Sequence, residues 1–285
     1  MLQNLVKSKK INIFTVMTTG RTGSDYLVNC LDGVKGIILF GGKFSLDKYF
    51  ENKNKKKNQK LLIDSFLKDN KHLLGYDEIE QIDKKINIKK FKKLFIQISN
   101  KELSKNEFFF KLYETYHKIL KRSFKDIKAL VHHSHGYNAT KSFIKDFPEC
   151  KILFTIRDPR ANLKSGILSW GNFQNKYKTI NHIFFYLRRI RNDIIYALKI
   201  KNKKIFIKLE ESNLLSTKKK ICHFLNVKYD KKIMISTVAG KIWNGDKLSA
   251  FKSKGKFNKK IIDNNWRTYF TKKEVLILNM LYSDY

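Results

Sequence analysis

The stretch Asn12-Ile13-Phe14-Thr15-Val16-Met17-Thr18-Thr19-Gly20-Arg21-Thr22-Gly23-Ser24-Asp25-Tyr26-Leu27 decides how this chain is read. Asn12 to Met17 is a short, apolar, β-rich run that ends on Thr18-Thr19-Gly20-Arg21-Thr22-Gly23-Ser24. From Asp25 to Leu31 the spacing turns helical, with Tyr26, Leu27 and Leu31 on one face. This is strand, glycine loop, helix. The glycines allow a tight turn that presents successive N–H groups, and the helix N-terminus adds free donors and the positive end of its dipole. The loop is an anion cradle, with Ser24 and Asp25 as candidate helix caps. It lacks the G-x-x-x-x-G-K-[ST] pattern of a triphosphate loop. Gly20 and Gly23 are three apart, and Asp25 would repel a triphosphate unless a metal intervened. A smaller anion held by backbone N–H groups and Arg21 suits it.

A second motif, Arg157-Asp158-Pro159-Arg160-Ala161-Asn162-Leu163-Lys164-Ser165, follows the clearest buried strand, Lys151 to Ile156. A charge at the end of a buried strand needs a partner. Pro159 fits the first position of a helix. Ser165 then lies about two turns into that helix, where it could share a phosphate with Arg157. The structural alternative is Asp158 as a cap and Arg160 as a surface charge.

Further strands are expected at Gly36 to Phe40, ended by Gly41-Gly42, and at Ala129 to His133 and Lys204 to Leu209. Helices are expected at Glu107 to Ser123, Ser142 to Phe147, onward from the second motif through Ser169, Asn181 to Ile200, and Leu214 to Leu225. Strands alternating with helices give an α/β, P-loop-like three-layer fold: a central, mainly parallel sheet flanked by helices. Ligands of such sheets bind at the carboxyl ends of the strands, where both motifs lie. With 285 residues, 2 prolines and no linker-like segment, one domain spanning 1–285 is expected. Residues 51–105 are rich in Lys and Asn, with mixed periodicity, and the stretch 43–125 is read as a substrate-shaping insertion.

The formal charge of +35 suggests a polyanion partner. The lysines are spread along the whole chain, however, alongside the Asn and Ile of A/T-rich codons, so no specific nucleic-acid partner is expected. Where Lys is the abundant cation, an Arg marks a need for the planar fork that grips phosphate. Cys30, Cys150 and Cys222 are far apart, as suits reduced thiols in a cytoplasmic protein. No signal-like or membrane-spanning run is seen. Peripheral membrane contact through the basic surface stays open.

The two motifs, in this order, resemble the sulfotransferase family, whose donor is 3'-phosphoadenosine 5'-phosphosulfate. The likeness is closer to the bacterial and carbohydrate-type branch than to the phenol and steroid enzymes. It implies that Gly20, Arg21, Thr22, Gly23, Ser24 and Asp25 hold the 5'-phosphosulfate and that Arg157 and Ser165 grip the 3'-phosphate. The segment Phe251-Lys252-Ser253-Lys254-Gly255-Lys256-Phe257, followed by Asn264-Asn265-Trp266-Arg267, resembles the family's C-terminal basic–glycine segment. That likeness places Lys254, Gly255 and Lys256 near the 3'-phosphate. No metal is required in such transfer. Arg21 is then the residue that steadies the leaving phosphate.

The acceptor must also lose a proton. Family members use Glu or His for this, and Lys43 stands where many relatives carry an acid. Val131-His132-His133-Ser134-His135 ends a strand on the ligand side, and alternation puts His133 and His135 on one face and His132 on the other. His133 and His135 are the candidate bases, with Asp47 a rival. A metal pair or plain strand-end polarity are the other readings of these histidines. The acceptor is a hydroxyl or amine, and the resemblance suggests a cell-envelope saccharide. The segment around Trp243 and Asn244 should help to shape its pocket, and Trp170, Trp243 and Tyr177 are candidates to stack on a sugar ring. Two further readings remain: a nucleotide-binding kinase or NTPase, and a non-enzymatic polyanion binder.

Overall fold

The computed structural model describes all residues except 9, 51–55, 76–84, 175–179, 246–253, 260–261, 263–264 and 284–285, and leaves out the side chains of 170–174, 180 and 182. Helix α1 (Leu2–Lys7) leads into β1 (Asn12–Thr18), α2 (Ser24–Cys30) and β2 (Ile37–Lys43). A short antiparallel pair, β3 (Lys57–Asn58) and β4 (Glu102–Leu103), brackets α3 (Gln59–Asp69) and α4 (Ile88–Ile98), and α5 (Lys105–Ile119) follows. Then come β5 (Ala129–His135), α6 (Tyr137–Asp146), β6 (Lys151–Ile156), α7 (Pro159–Gln174), α8 (Ile180–Lys199), β7 (Lys204–Lys208) and α9 (Leu215–Leu225). The pair β8 (Thr237–Val238) and β9 (Lys241–Ile242) precedes α10 (Trp266–Tyr269) and α11 (Lys272–Leu281).

The central sheet has five parallel strands in the order β2-β5-β1-β6-β7. This is the α/β architecture expected from the alternating pattern. Its strands read as continuous apolar runs because helices cover both faces: Phe14, Val16, Leu130, Val131, Leu153 and Phe154 are all inaccessible to solvent. The chain order reverses between β1 and its two neighbours, β5 and β6. The carboxyl end of β1 is therefore a crevice with a loop on either side.

Among the boundaries that differ from expectation, three have local reasons. Gly41 and Gly42 do not stop β2: the strand runs on to Lys43, which pairs with His133 across a register shift after Leu39. Gly42 has φ 87°, and a side chain there would collide with Leu73. Helix α6 begins at Tyr137, five residues before the expected Ser142. Helix α5 begins at Lys105 because Ser104 and Glu107 form a reciprocal capping box.

Among the described residues of 43–125, helices α3, α4 and α5 share the core of the sheet. Phe66, Phe91, Phe95 and Phe108 are fully buried there with Phe40 and Phe44. The helices bury this aromatic cluster against the β2 edge.

Candidate active site

The glycine loop is fixed by its own hydroxyls. Thr18 Oγ1 lies 2.5 Å from Thr22 Oγ1, which lies 2.7 Å from Thr155 Oγ1 on the neighbouring strand. Gly20 N–H donates to Thr18 Oγ1 at 3.0 Å. Gly20, Arg21 and Gly23 all have positive φ, at 82°, 53° and 72°. Arg21 is the costly one of the three, since only glycine takes that region freely. Gly23, rather than Ser24 or Asp25, is the N-cap of α2, in the left-handed conformation and with no side-chain cap. A side chain at Gly23 would strike Leu209 Cδ1.

The second motif folds onto this loop because β1 and β6 are neighbours, with Thr18 beside Thr155. An Arg157 guanidinium N–H donates to the Arg21 carbonyl at 3.3 Å, and Arg21 Nε donates to Ser165 Oγ at 3.3 Å. Arg157 is buried and Ser165 half-buried. Arg21, Arg157 and Ser165 therefore meet at one point beside the N-terminus of α2. Pro159 opens α7, and the Asp158 carboxylate accepts the Arg160 backbone N–H at 2.8 Å. Arg160 is not a loose surface charge. It returns to Asp158 through Nε and a terminal nitrogen, both at 2.9 Å, bonds Asn279 at 2.8 Å and lies 4.8 Å over the Trp266 ring.

Asn162 is a residue of this motif whose role was not foreseen. Fully buried, it donates to Thr19 Oγ1 at 2.9 Å and to the Gly20 carbonyl at 2.8 Å, while its own oxygen accepts from Tyr186 OH at 2.8 Å. It ties α7 and α8 to the loop. Gly166 has no Cβ to block the Tyr186 ring, which would stand 2.8 Å from one. The motif Arg-Ala-Asn carried that signal only as an uncharged amide near a cluster of arginines.

The histidines divide as alternation requires. His132 stacks on Phe143 at 4.6 Å, and its Nδ1 is 3.0 Å from Tyr113 OH, inside the aromatic core. His133 and His135 lie on the opposite face with ring centroids 5.8 Å apart. Among the described residues, the three rings do not share one face, His132 pointing into the core and away from His133 and His135. His133 is 1% exposed, and neither ring nitrogen has a hydrogen-bond partner among the described residues; Nδ1 stands 3.7 Å from Asp25 Oδ1. Asp25 also holds Lys43, at 2.9 and 3.0 Å. Burial disfavours the Asp25 carboxylate, but Lys43, then His133 and His135, outweigh it and hold the carboxyl well below its ordinary range. Burial pushes His133 down to about 3, with Asp25 opposing and Lys43 adding to the shift. Burial, Lys43 and His133 likewise hold His135 well below the ordinary histidine value. Both rings are neutral near pH 7.

His135 joins the loop to a cavity. A Cβ at Gly20 would stand 3.6 Å from His135 Cε1, so the ring rests against the glycine loop. His135 also lines a cavity of about 540 Å³ with Tyr137, Asn138, Arg189, Asn192 and Asp193. Its backbone has φ 69°, at the bulge where Met17, not the next residue in register, pairs with it. The cavity is walled by the β5–α6 turn and by α8, not by residues 43–125. Asp47 is outside it: its carboxylate takes Lys105 at 2.5 Å, Ser142 at 2.6 Å and Ser45 at 2.9 Å. Those bonds outweigh partial burial and bring its carboxyl down to about 2.

At the C-terminal side, Gly255 N–H donates to the Trp243 carbonyl at 2.9 Å, and the Gly255 carbonyl accepts from Ser236 N–H at 2.8 Å. The Phe257 ring lies 5.3 Å from that of Tyr26 on α2, tilted against it. Gly255 lies beside Ile235, Ser236 and Ile242, next to β8 and β9. Trp243 is 6% exposed and belongs to the main core, so it is no stacking surface. Tyr177 and the side chain of Trp170 lie outside the described residues.

No protein-family model matches the sequence, and neither does any curated protein. Among solved structures, a sulfotransferase domain from the curacin biosynthetic pathway is similar at 15% identity, over 96% of this chain and 98% of that one, with a TM-score of 0.58. A sulfotransferase domain from the Synechococcus PCC 7002 olefin synthase is similar at 16% identity over 96% and 95%, with a TM-score of 0.48. The mouse sulfotransferase SULT7A1, complexed with PAP, gives 14% identity over 99% and 88%, with a TM-score of 0.46. The curacin domain shows that the chain has the sulfotransferase fold over nearly its whole length.

Proposed function

We propose that this chain is a sulfotransferase that moves a sulfuryl group from 3'-phosphoadenosine 5'-phosphosulfate to an acceptor hydroxyl or amine. One observation carries the reading: Arg21, Arg157 and Ser165, from two motifs far apart in sequence, meet beside a glycine loop at the end of β1. The backbone of Gly20 to Asp25 is suited to the 5'-phosphosulfate, and Arg157 and Ser165 to the 3'-phosphate, with Lys254, Gly255 and Lys256 adding to that end. When bound, the donor supplies the sulfuryl group and its leaving phosphate. Arg21 balances the charge that builds on the leaving oxygen. His135, between loop and cavity, takes the acceptor proton. Anionic charge brought beside it raises its affinity for that proton. His133, Asp25 and Lys43 hold the ring from behind.

The loop lacks the Lys-hydroxyl pair that seats Mg²⁺ on a triphosphate. Its threonine hydroxyls are bonded to one another, and Asp25 is engaged by Lys43. We infer transfer without a metal, so a chelator leaves activity intact. Cys30, Cys150 and Cys222 are buried and free, which supports a reducing, cytoplasmic compartment. Among the described residues no helix is long and apolar enough to cross a membrane.

The test is thermal stabilisation by 3'-phosphoadenosine 5'-phosphate, ATP and adenosine 5'-phosphosulfate. At about 100 times its dissociation constant, a ligand adds roughly 2.7 kcal/mol. The 3'-phosphorylated nucleotide should stabilise far more than the other two. Equal shifts from all three would reject the assigned grip, and activity restored by Mg²⁺ after chelation would favour a kinase.

A further inference from the structure

The cavity beside His135 has a wall with an unfilled hydrogen-bond acceptor. Asp193, on α8, is 2% exposed. Its Oδ1 accepts the Tyr137 N–H at 2.7 Å, which serves the first turn of α6, where Gly136 offers no side-chain cap. Its Oδ2 has no hydrogen-bond partner among the described residues. The Arg189 Nε, at 3.9 Å, supplies charge but stands beyond hydrogen-bond distance. A buried carboxylate oxygen without a donor costs free energy that a ligand donor would recover. A cap for α6 alone would need only one oxygen.

Charge adds a second constraint. Two cations, Arg188 and Arg189, line the cavity against one carboxylate, Asp193. Asn138 and Asn192 add amides that can donate and accept. A phenol would give Asp193 Oδ2 and the arginines no new partner, because its one hydroxyl is the group that must face His135. A cationic amine would meet the arginines.

We propose that this cavity binds a hydroxyl-rich acceptor carrying a negative charge, with Asp193 receiving one of its hydroxyls and Arg189 its anionic group. This rests on the sulfotransferase reading, because His135 is what connects the cavity to the donor loop. Asp193 is a positioning residue: it holds the acceptor so that another hydroxyl faces His135. A uronic acid and a sugar phosphate share the recognised chemistry.

The substitution Asp193→Asn separates its two contacts. Asn keeps a carbonyl oxygen for Tyr137 N–H but turns the second oxygen into an N–H donor. The probes are 4-nitrophenyl β-D-glucuronide, 4-nitrophenyl β-D-glucoside, glucose 6-phosphate and 4-nitrophenol, each measured as acceptor at saturating donor. The wild type should use the glucuronide or the sugar phosphate at least tenfold better in kcat/KM than the uncharged glucoside, and the phenol least. Whichever of the two anionic probes is favoured identifies the source. Asp193→Asn should raise KM for it tenfold or more, with kcat within threefold and unchanged thermal stability and affinity for 3'-phosphoadenosine 5'-phosphate. Arg189→Gln should reduce the anionic preference to less than threefold. Equal use of glucoside and glucuronide, preference for the phenol, or no transfer to any sugar probe would overturn the proposal. So would an Asp193→Asn variant that loses stability and nucleotide affinity together with acceptor affinity, which is the pattern of a helix cap alone. Failure of the wild type to bind the nucleotide would instead reject the sulfotransferase reading itself.

Discussion

The proposed donor side and the proposed acceptor side of this site are built on opposite principles. On the donor side, Thr18, Thr22 and Thr155 bond one another, Asn162 ties the loop to two helices, and Arg157 braces the Arg21 carbonyl. That loop holds its shape before any anion arrives. On the proposed acceptor side, one oxygen of the buried Asp193 carboxylate lacks a hydrogen-bond partner among the described residues. Preorganised donors are what stabilise developing charge without reorganisation. Unfilled buried groups are where a ligand gains most, because it completes a bond that the free protein lacks.

The largest effects should separate the two sides cleanly. His135→Ala should lower turnover by about 10²-fold or more while leaving nucleotide affinity unchanged, since a positioned base contributes on that scale. Arg157→Ala should do the converse: loss of a charge-assisted contact worth about 1.5–3 kcal/mol weakens nucleotide binding on the order of 10- to 150-fold. Nucleotide titration and single-turnover transfer on both variants decide it. If Arg157→Ala binds the nucleotide normally, or His135→Ala loses the nucleotide as well, the division between the sides collapses.

This division also explains what could be read from the sequence. The elements of the proposed donor side were legible because they are contiguous: a strand, a glycine loop and a helix within one run, and a strand that ends directly on Arg157. Strand β6 begins and ends where its apolar run does. The acceptor side joins the turn after His135 to a helix nearly sixty residues later, and Asp193, inside Arg-Ile-Arg-Asn-Asp-Ile-Ile, looks like any polar residue on an amphipathic helix. Only the packing of α8 on α6 reveals its burial. Residues 43–125 were opaque for another reason. Lys60 and Lys68 in α3, and Lys89, Lys90, Lys92 and Lys93 in α4, interrupt the apolar pattern. The stripe formed by Leu62, Ile63, Phe66 and Leu67 is lost in that background. At β2, a glycine pair that usually ends a strand instead sits in a register shift that carries Lys43 toward Asp25.

A smaller effect should expose the brace between the sides. Tyr186 is buried on α8, and its hydroxyl holds the Asn162 oxygen. Tyr186→Phe leaves that oxygen buried and unpaired by the tyrosine, a cost of roughly 1–3 kcal/mol. Thermal stability should fall, and nucleotide affinity should weaken by a few fold as Asn162 loosens its hold on Thr19 and Gly20. Unchanged values for both would mean that the loop keeps its shape without the helices behind it.

The smallest effect on chemistry should come from Asp47, and it tests whether the acceptor side ends where the cavity does. Asp47 follows β2, near the place where an acid would serve as an alternative base, yet its carboxylate is taken up by Lys105, Ser142 and Ser45. Lys105 is shared with Asp146 and is almost wholly buried, so the pair fastens α5 to α6. A carboxyl brought down to about 2 by those bonds is a poor proton acceptor. Asp47→Asn should therefore leave kcat within threefold of the wild type. The linkage has a definite sign. The folded-state value lies below the unfolded one, so the ionised carboxylate contributes stability that is fully present above about pH 4 and is lost as pH falls toward 2. Asp47→Asn should be less stable than the wild type at neutral pH, and the gap should close on acidification through that window. The partial exposure of Asp47 keeps the gap small. Denaturant melts at several pH values, run beside the transfer assay, measure both halves. A hundredfold loss of kcat in Asp47→Asn, with His135→Ala still active, would move the base across α6 and place the acceptor outside the His135 cavity.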